Sequence, residues 1–142
     1  MELSSKQKGN LTELQCITAF YELGYQVSIP YGENSRYDFI ADINGKLIKV
    51  QVKTSSKKDD GKSFEFSCRS TRVNAQGSLS RTYTAEEIDY FCTYFNGKCY
   101  LIPISECSRS KKLRLEPPAN NRKVGINMAI DYELLSQLNK IS

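Results

Sequence analysis

The chain has 142 residues, a net charge of +4 from 20 Lys and Arg against 16 Asp and Glu, and neither histidine nor tryptophan. That length supports one domain over residues 1–142, and the missing imidazole excludes Ser-His-Asp triads, HExxH zinc sites, C2H2 fingers and His-metal nucleases. Five cysteines with no pair closer than seven residues, a polar first ten residues and no apolar run near the ~20 residues of a membrane span predict a reduced, cytoplasmic protein with no membrane partner.

The first predicted element is a helix over residues 10–24, closed by Gly24. Residues 25–30 (YQVSIP) read as a short strand and 31–36 (YGENSR) as a turn-rich loop. Two strands follow, 37–43 (YDFIADI) and 46–54 (KLIKVQVKT), joined by Asn44-Gly45, the strongest short hairpin signal. A polar loop with Asp60-Gly61 leads to a strand over 63–69, where Phe64, Phe66 and Cys68 alternate with polar residues. Residues 70–83 read as a long basic polar loop, with a β-ribbon as the alternative because Val73 and Leu79 flank Gln76-Gly77. Thr84-Ala85-Glu86-Glu87 has the form of a capping box. It predicts a helix burying Ile88, Phe91, Cys92 and Phe95 at i, i+3, i+4 and i+7, ended by Asn96-Gly97. A strand over 98–104, a short strand over 113–115 and a short helix over 131–138 complete the chain. The order α-β-β-β-β-α-β predicts an α/β class with a central mixed β-sheet flanked by helices. Residues 112–142 form an expected C-terminal extension available for oligomerisation, with Ile130, Leu134, Leu135, Leu138 and Ile141 as its apolar positions.

Two patterns carry chemistry. On a helical wheel Glu13 sits at the centre of the apolar stripe, with Ile17, Phe20 and Cys16 within about 60° of it. A carboxylate on a buried face requires a pairing cation, protonation, a metal or the helix N-terminal dipole, and all four are open from the wheel alone. In the hairpin, a two-residue turn pairs Ile43 with Lys46 and sets Asp38 opposite Gln51. One face then carries Phe39, Ala41, Ile43, Ile48, Val50 and Val52, all apolar. The other gathers Asp38, Gln51 and Lys53 at the open end of the hairpin, and a one-residue slip would scatter them. A competing set, Asp42 with Asp60-Gly61-Lys62, falls on a polar turn rather than a strand end and is rejected.

A helix bearing Glu13, then Asp38, then Gln51-Val52-Lys53 after twelve residues, resembles the PD-(D/E)xK nuclease superfamily. The resemblance is nearest to the group I intron homing endonucleases of cyanobacterial type, whose motif carries Gln. Tyr37 stands in place of the motif's Pro, and Gln51 in place of its acid. The resemblance implies a restriction-endonuclease-like core and a Mg²⁺-dependent, sequence-specific double-stranded DNA endonuclease, with Mn²⁺ as a possible substitute. In it Glu13, Asp38, Gln51 and Lys53 are the catalytic set, and Asp38, Glu13, Gln51 and the Val52 carbonyl the metal ligands. It further implies a homo-oligomer, dimer or tetramer. Two other activities stay open: a Holliday-junction resolvase or restriction-type nuclease, and a catalytically inactive nucleic-acid-binding protein on the same fold.

Double-stranded DNA as the partner requires contacts outside the motif. Arg69, Arg72, Asn74, Gln76 and Arg81 offer side chains of the types that read base edges. Lys57, Lys58, Lys111 and Lys112 are candidates for phosphates. Tyr31 and Tyr37 flank the loop before Asp38 and are candidates for contacts near the scissile strand.

Overall fold

The computed structural model describes residues 1–120, 122 and 124–141, with side chains except at 72–74. The candidate side chains Arg72 and Asn74 therefore lie outside the described residues. Helix α1, Ser5–Glu22, begins five residues before the predicted start. The cause is a Ser-x-x-Gln capping box: Gln7 N donates to Ser4 Oγ at 3.2 Å and Ser4 N to Gln7 Oε1 at 2.9 Å. Glu13 is thus more than two turns inside the helix, beyond reach of the N-terminal dipole.

After β1, Gln26–Ser28, come β2, Phe39–Ile43, and β3, Lys46–Val52. Asn44 (φ 54°) and Gly45 (φ 97°) are both left-handed, the type I′ turn that an Asn-Gly pair adopts at low cost. The ladder runs from Ile43↔Lys46 to Phe39↔Val50, the predicted register. Phe39, Ala41, Ile43, Ile48, Val50 and Val52 are buried beneath α1 with Cys16 and Phe20.

Strands β4, Ser56–Lys58, and β5, Ser63–Ser67, follow, then β6, Arg69–Asn74, and β7, Gly77–Thr82. The last two form a separate two-stranded ribbon in register Arg69↔Thr82 to Asn74↔Gly77. Of the two readings of 70–83, the ribbon is the one formed. Next come β8, Tyr90–Phe95, β9, Lys98–Pro103, β10, Ser110–Arg114, and helix α2, Leu134–Leu138, entered through a 3₁₀ turn at Ala129–Tyr132.

The expected helix over 84–95 is corrected by β8. Its cap exists locally, since Thr84 N donates to Glu87 Oε1 at 3.0 Å and Ile88 N to Thr84 O at 3.1 Å. The turn then stops. Tyr-Phe-Cys-Thr-Tyr-Phe is rich in aromatic and β-branched residues, and it enters the sheet between β3 and β9. Asn96 (φ 49°) and Gly97 (φ 80°) make a second I′ hairpin turn rather than a helix end.

The main sheet runs β1-β2-β3-β8-β9, with β3 and β8 parallel and the other pairs antiparallel. It is the mixed sheet of a restriction-endonuclease-like fold. Cys92 and Leu101 join the core under α1, whereas Phe91, Tyr100 and Ile102 pack on the opposite side against Phe64, Phe66 and Leu113 of the β10-β5-β4 sheet. Beyond residue 112, Leu113 and Tyr132 enter this second core, and Leu134, Leu138 and Ile141 the first. Ile130 and Leu135 remain exposed.

Candidate active site

The open end of the β2–β3 hairpin is where the candidate side chains gather. Asp38 lies one residue before β2, and its N–H donates to Val50 O at 2.8 Å, extending the pairing past the named strand. Its Oδ2 accepts from Val52 N at 2.7 Å. The Gln51 amide is directed by its surroundings: its nitrogen donates to Arg36 O at 2.6 Å and to Asp38 Oδ2 at 3.3 Å. Turned the other way, the nitrogen would reach the Val52 carbonyl at 3.4 Å, and the oxygen would face those two acceptors. Lys53 N donates to Cys92 O at 2.9 Å, so β8 anchors the backbone of the last motif residue. Lys53 Nζ donates to Arg69 O at 2.7 Å and lies 5.2 Å from the centre of the Tyr83 ring.

Helix α1 crosses the same end. Thr12 on α1 meets Thr54, just past β3, at 3.4 Å between hydroxyls, and Glu13 is its neighbour. Burial, then the negative charge of Asp38, hold the Glu13 carboxyl above its usual range. Burial also raises Asp38, against the Val52 N–H and the Lys53 ammonium, which favour its anion. Burial lowers Lys53, opposed by Asp38 and assisted by the Arg36 charge. Among the described residues no cation lies within ion-pair distance of Glu13 or Asp38.

Two half-buried carboxylates acting on each other without a bridging cation form an unfavourable arrangement in a bare protein. A hard divalent ion reverses the sign of that interaction. The donor set also suits one: carboxylate oxygens from Glu13 and Asp38, the Gln51 side-chain oxygen, and the Val52 carbonyl are all oxygen ligands of the kind Mg²⁺ takes. A second group, the sulfurs of Cys16, Cys92 and Cys99, lies within 4.8 Å in the core. Burial pushes the Cys92 thiol well above its ordinary range, and Asp38 adds negative charge nearby. Hydrogen bonds from Cys16 and Cys92 instead draw the Cys99 thiol down to about 5, so the three thiols share one buried hydrogen-bonded cluster.

The other candidates divide by location. Arg69 begins β6, Gln76 sits at the ribbon turn, and Arg81 lies exposed on β7 with Nη2 3.0 Å from Glu87 Oε2. Lys57 and Lys58 are exposed on β4. Lys111, the phosphate candidate on β10, is turned inward. It is 8% exposed, its Nζ donates to Glu106 O at 3.0 Å, and it lies over the Tyr132 ring. Alternation along β10 turns it into the second core, which a run of basic letters does not show. Lys112 pairs with Asp59 at 2.5 Å. Tyr31 is fully exposed, while Tyr37 packs partly on the second core.

Sequence reasoning passed over Arg36. Its Nη1 donates to Ser70 Oγ at 2.8 Å, its Nη2 to Thr82 O at 3.0 Å, and its Nε lies 3.0 Å from Glu87 Oε2. Its guanidinium carbon stacks 4.0 Å from the Tyr83 ring centre. An arginine in a turn-rich loop looks solvated. Its place two residues before Asp38 was the one available signal.

Comparison with known proteins bears on this geometry. The model of a family described as PD-(D/E)XK endonuclease matches residues 3–135. The solved structure of a bacterial homing endonuclease, I-Ssp6803I, superposes with a TM-score of 0.76, at 25% sequence identity, over 97% of this chain and 97% of that one. No curated protein matches the sequence.

Proposed function

Because the chain belongs to the PD-(D/E)XK endonuclease family, we propose that it is a Mg²⁺-dependent, sequence-specific double-stranded DNA endonuclease of homing type. The observation that carries this reading is the meeting of Glu13, Asp38, Gln51 and Lys53 at one hairpin mouth. The likeness to a bacterial homing endonuclease supports the finer assignment. Asp38 and Glu13, with the Gln51 oxygen and the Val52 carbonyl, would hold the ion, with Mn²⁺ as a substitute. The bound ion supplies Lewis-acid stabilisation of phosphate charge and an acidified water.

The chain's own residues do the rest. Val52 N–H and the Gln51 amide both grip Asp38 Oδ2, which fixes the carboxylate and leaves Oδ1 without a donor among the described residues. Lys53 brings a half-buried ammonium to the site, suited to stabilising charge as it develops on the phosphoryl group. Burial weakens the hold of Nζ on its proton, so transfer at that atom is easier than from an exposed lysine. Gln51 in place of an acid removes one negative charge, which favours one well-held ion over two. Cutting both strands with one site per chain requires at least two copies, so the enzyme acts as a homo-oligomer.

The test is nicking of supercoiled plasmid DNA in Mg²⁺ or Mn²⁺ by the wild-type chain, Asp38→Ala and Lys53→Ala. Each substitution is expected to lower the rate by about 10³-fold or more with the circular dichroism spectrum unchanged. Cleavage surviving both changes sinks the assignment. Preferential cutting of four-way junctions would move the reading to a resolvase.

A further inference from the structure

We propose that Arg36 is a positioning residue which couples the β6–β7 ribbon to the metal-binding hairpin, so that DNA seated on the ribbon sets the geometry of the site. The proposal rests on the endonuclease reading and assigns a role within it that the motif does not contain.

The ribbon is separate from the main sheet and is joined to it at its base. That base is tied to the site along two lines. In the first, the Arg36 side chain takes Ser70 Oγ of β6 and Thr82 O of β7, so one guanidinium spans both ribbon strands. The same residue's carbonyl accepts from the Gln51 amide at 2.6 Å, and that amide also reaches Asp38. A shift of the ribbon base therefore moves Arg36, and with it the partner that orients Gln51. In the second line, Arg69 O, the first residue of β6, accepts from Lys53 Nζ at 2.7 Å. Both members of the Gln-x-Lys motif are thus wired to the first two residues of the ribbon.

The junction also holds polar groups that its own contacts do not fully satisfy. Among the described residues, the buried side-chain nitrogens without a hydrogen bond are Arg36 Nε and Arg69 Nε, both at this junction. Arg36 Nε has Glu87 Oε2 at 3.0 Å as an ion pair, but off the hydrogen-bond direction. Leaving buried donors without hydrogen bonds is unfavourable, and such groups concentrated at one place call for an explanation beyond packing. Glu87 also holds Arg81 of β7 at 3.0 Å, so a single carboxylate steadies the guanidinium on the site side and the one on the ribbon side. Tyr83 fills the space between, stacked on Arg36 and facing Lys53. The Lys53 ammonium is itself held by a ribbon carbonyl, so the position of the ribbon base sets the position of that cation.

The experiment compares wild type, Arg36→Ala and Arg36→Lys. Duplex DNA binding is measured in Ca²⁺, and single-turnover nicking of supercoiled plasmid in Mn²⁺. Arg36→Ala is expected to lower the nicking rate about 100-fold while changing DNA affinity less than about threefold, because positioning rather than binding is lost. Arg36→Lys recovers little, since one ammonium cannot span Ser70 and Thr82. Free guanidinium chloride at low millimolar concentration restores part of the rate to Arg36→Ala and none to Arg36→Lys. An affinity loss that accounts for the whole rate loss, or a rate equal to wild type, overturns the proposal. Hydrogen exchange reads the coupling without cleavage: in Arg36→Ala the amides of residues 51–53 exchange faster together with those of the ribbon. Faster exchange confined to the ribbon also overturns it. If Arg36→Ala does not fold, Ser70→Ala, which removes one of the two ribbon contacts, is read by the same exchange measurement. A wild-type chain that leaves plasmid intact, with the exchange coupling present, strikes the endonuclease reading and leaves the coupling standing.

Discussion

Asp38, Glu13 and Lys53 all ionise against their surroundings, and the sign of each effect makes a prediction. A carboxyl held above its ordinary value binds more protons in the folded state than in the unfolded one. Stability therefore falls as pH rises from the unfolded values, 3.8 for Asp and 4.5 for Glu, through the folded ones, and stays reduced at neutral pH. A lysine held below its ordinary value costs stability at neutral pH and is relieved as pH rises from its folded value towards 10.5. The hairpin mouth is thus a local weak point at pH 7, in keeping with the function proposed for it. Asp38→Asn keeps an acceptor for Val52 N–H and removes the charge. In EDTA it is expected to melt about 2–4 °C above wild type at pH 7, with the difference vanishing near pH 4. Adding Mg²⁺ raises the wild-type midpoint by mass action and leaves the Asp38→Asn midpoint unmoved. Scanning fluorimetry checks both. A Mg²⁺ shift of wild-type size in the variant would remove Asp38 from the ligand set.

At the scale of elements, what the sequence disclosed follows from how local each signal is. The β2–β3 hairpin was legible because Asn44-Gly45 and strict two-residue alternation settle register within fifteen residues, and register alone brings Asp38 to Gln51. Strand β8 was not legible. Residues 88, 91, 92 and 95 satisfy a helical period, yet a strand buried on both faces also leaves apolar residues at nearly every position. The Asn96-Gly97 pair was the discriminating evidence. Arg36 was passed over because its partners Ser70, Thr82 and Glu87 lie far along the chain, and sequence shows charge without showing where it points. The ribbon is the element whose function most needs testing. Its β7 is exposed along its whole length, and a two-stranded ribbon is of a size that enters a major groove. Replacing residues 72–79 by Asn-Gly keeps the Thr71↔Ser80 pair as the last rung and a favourable turn. The shortened chain is expected to lose about 100-fold in duplex affinity, measured by fluorescence anisotropy in Ca²⁺, and to keep its Mg²⁺ melting shift. Affinity within threefold of wild type would show that DNA is read elsewhere.

At the scale of the whole molecule, the proposed cutting of both strands calls for a pair of chains. Each chain brings one hairpin mouth, and a duplex has two strands of opposite polarity, so a two-fold pair of chains offers matching sites to both. The surface offers a place for such a pair. Leu11, Leu14 and Leu23 of the α1 region and Leu135 of α2 line one groove, and each is at least 40% exposed. Apolar side chains grouped in this way mark an interaction face more often than scattered ones do. Leu135 is also what remains exposed of the C-terminal stretch once Leu134, Leu138 and Ile141 have entered the core. A combined Leu14→Glu and Leu135→Glu chain places like charges across any two-fold axis through that groove. It is expected to sediment as a 16.2 kDa monomer where wild type sediments as a dimer or tetramer. The same chain should still nick plasmid, because Glu13, Asp38, Gln51 and Lys53 come from one copy, and should convert little of it to the linear form. A wild-type chain that sediments as a monomer refutes the assembly. A double variant that linearises plasmid as wild type does places the contact on another face.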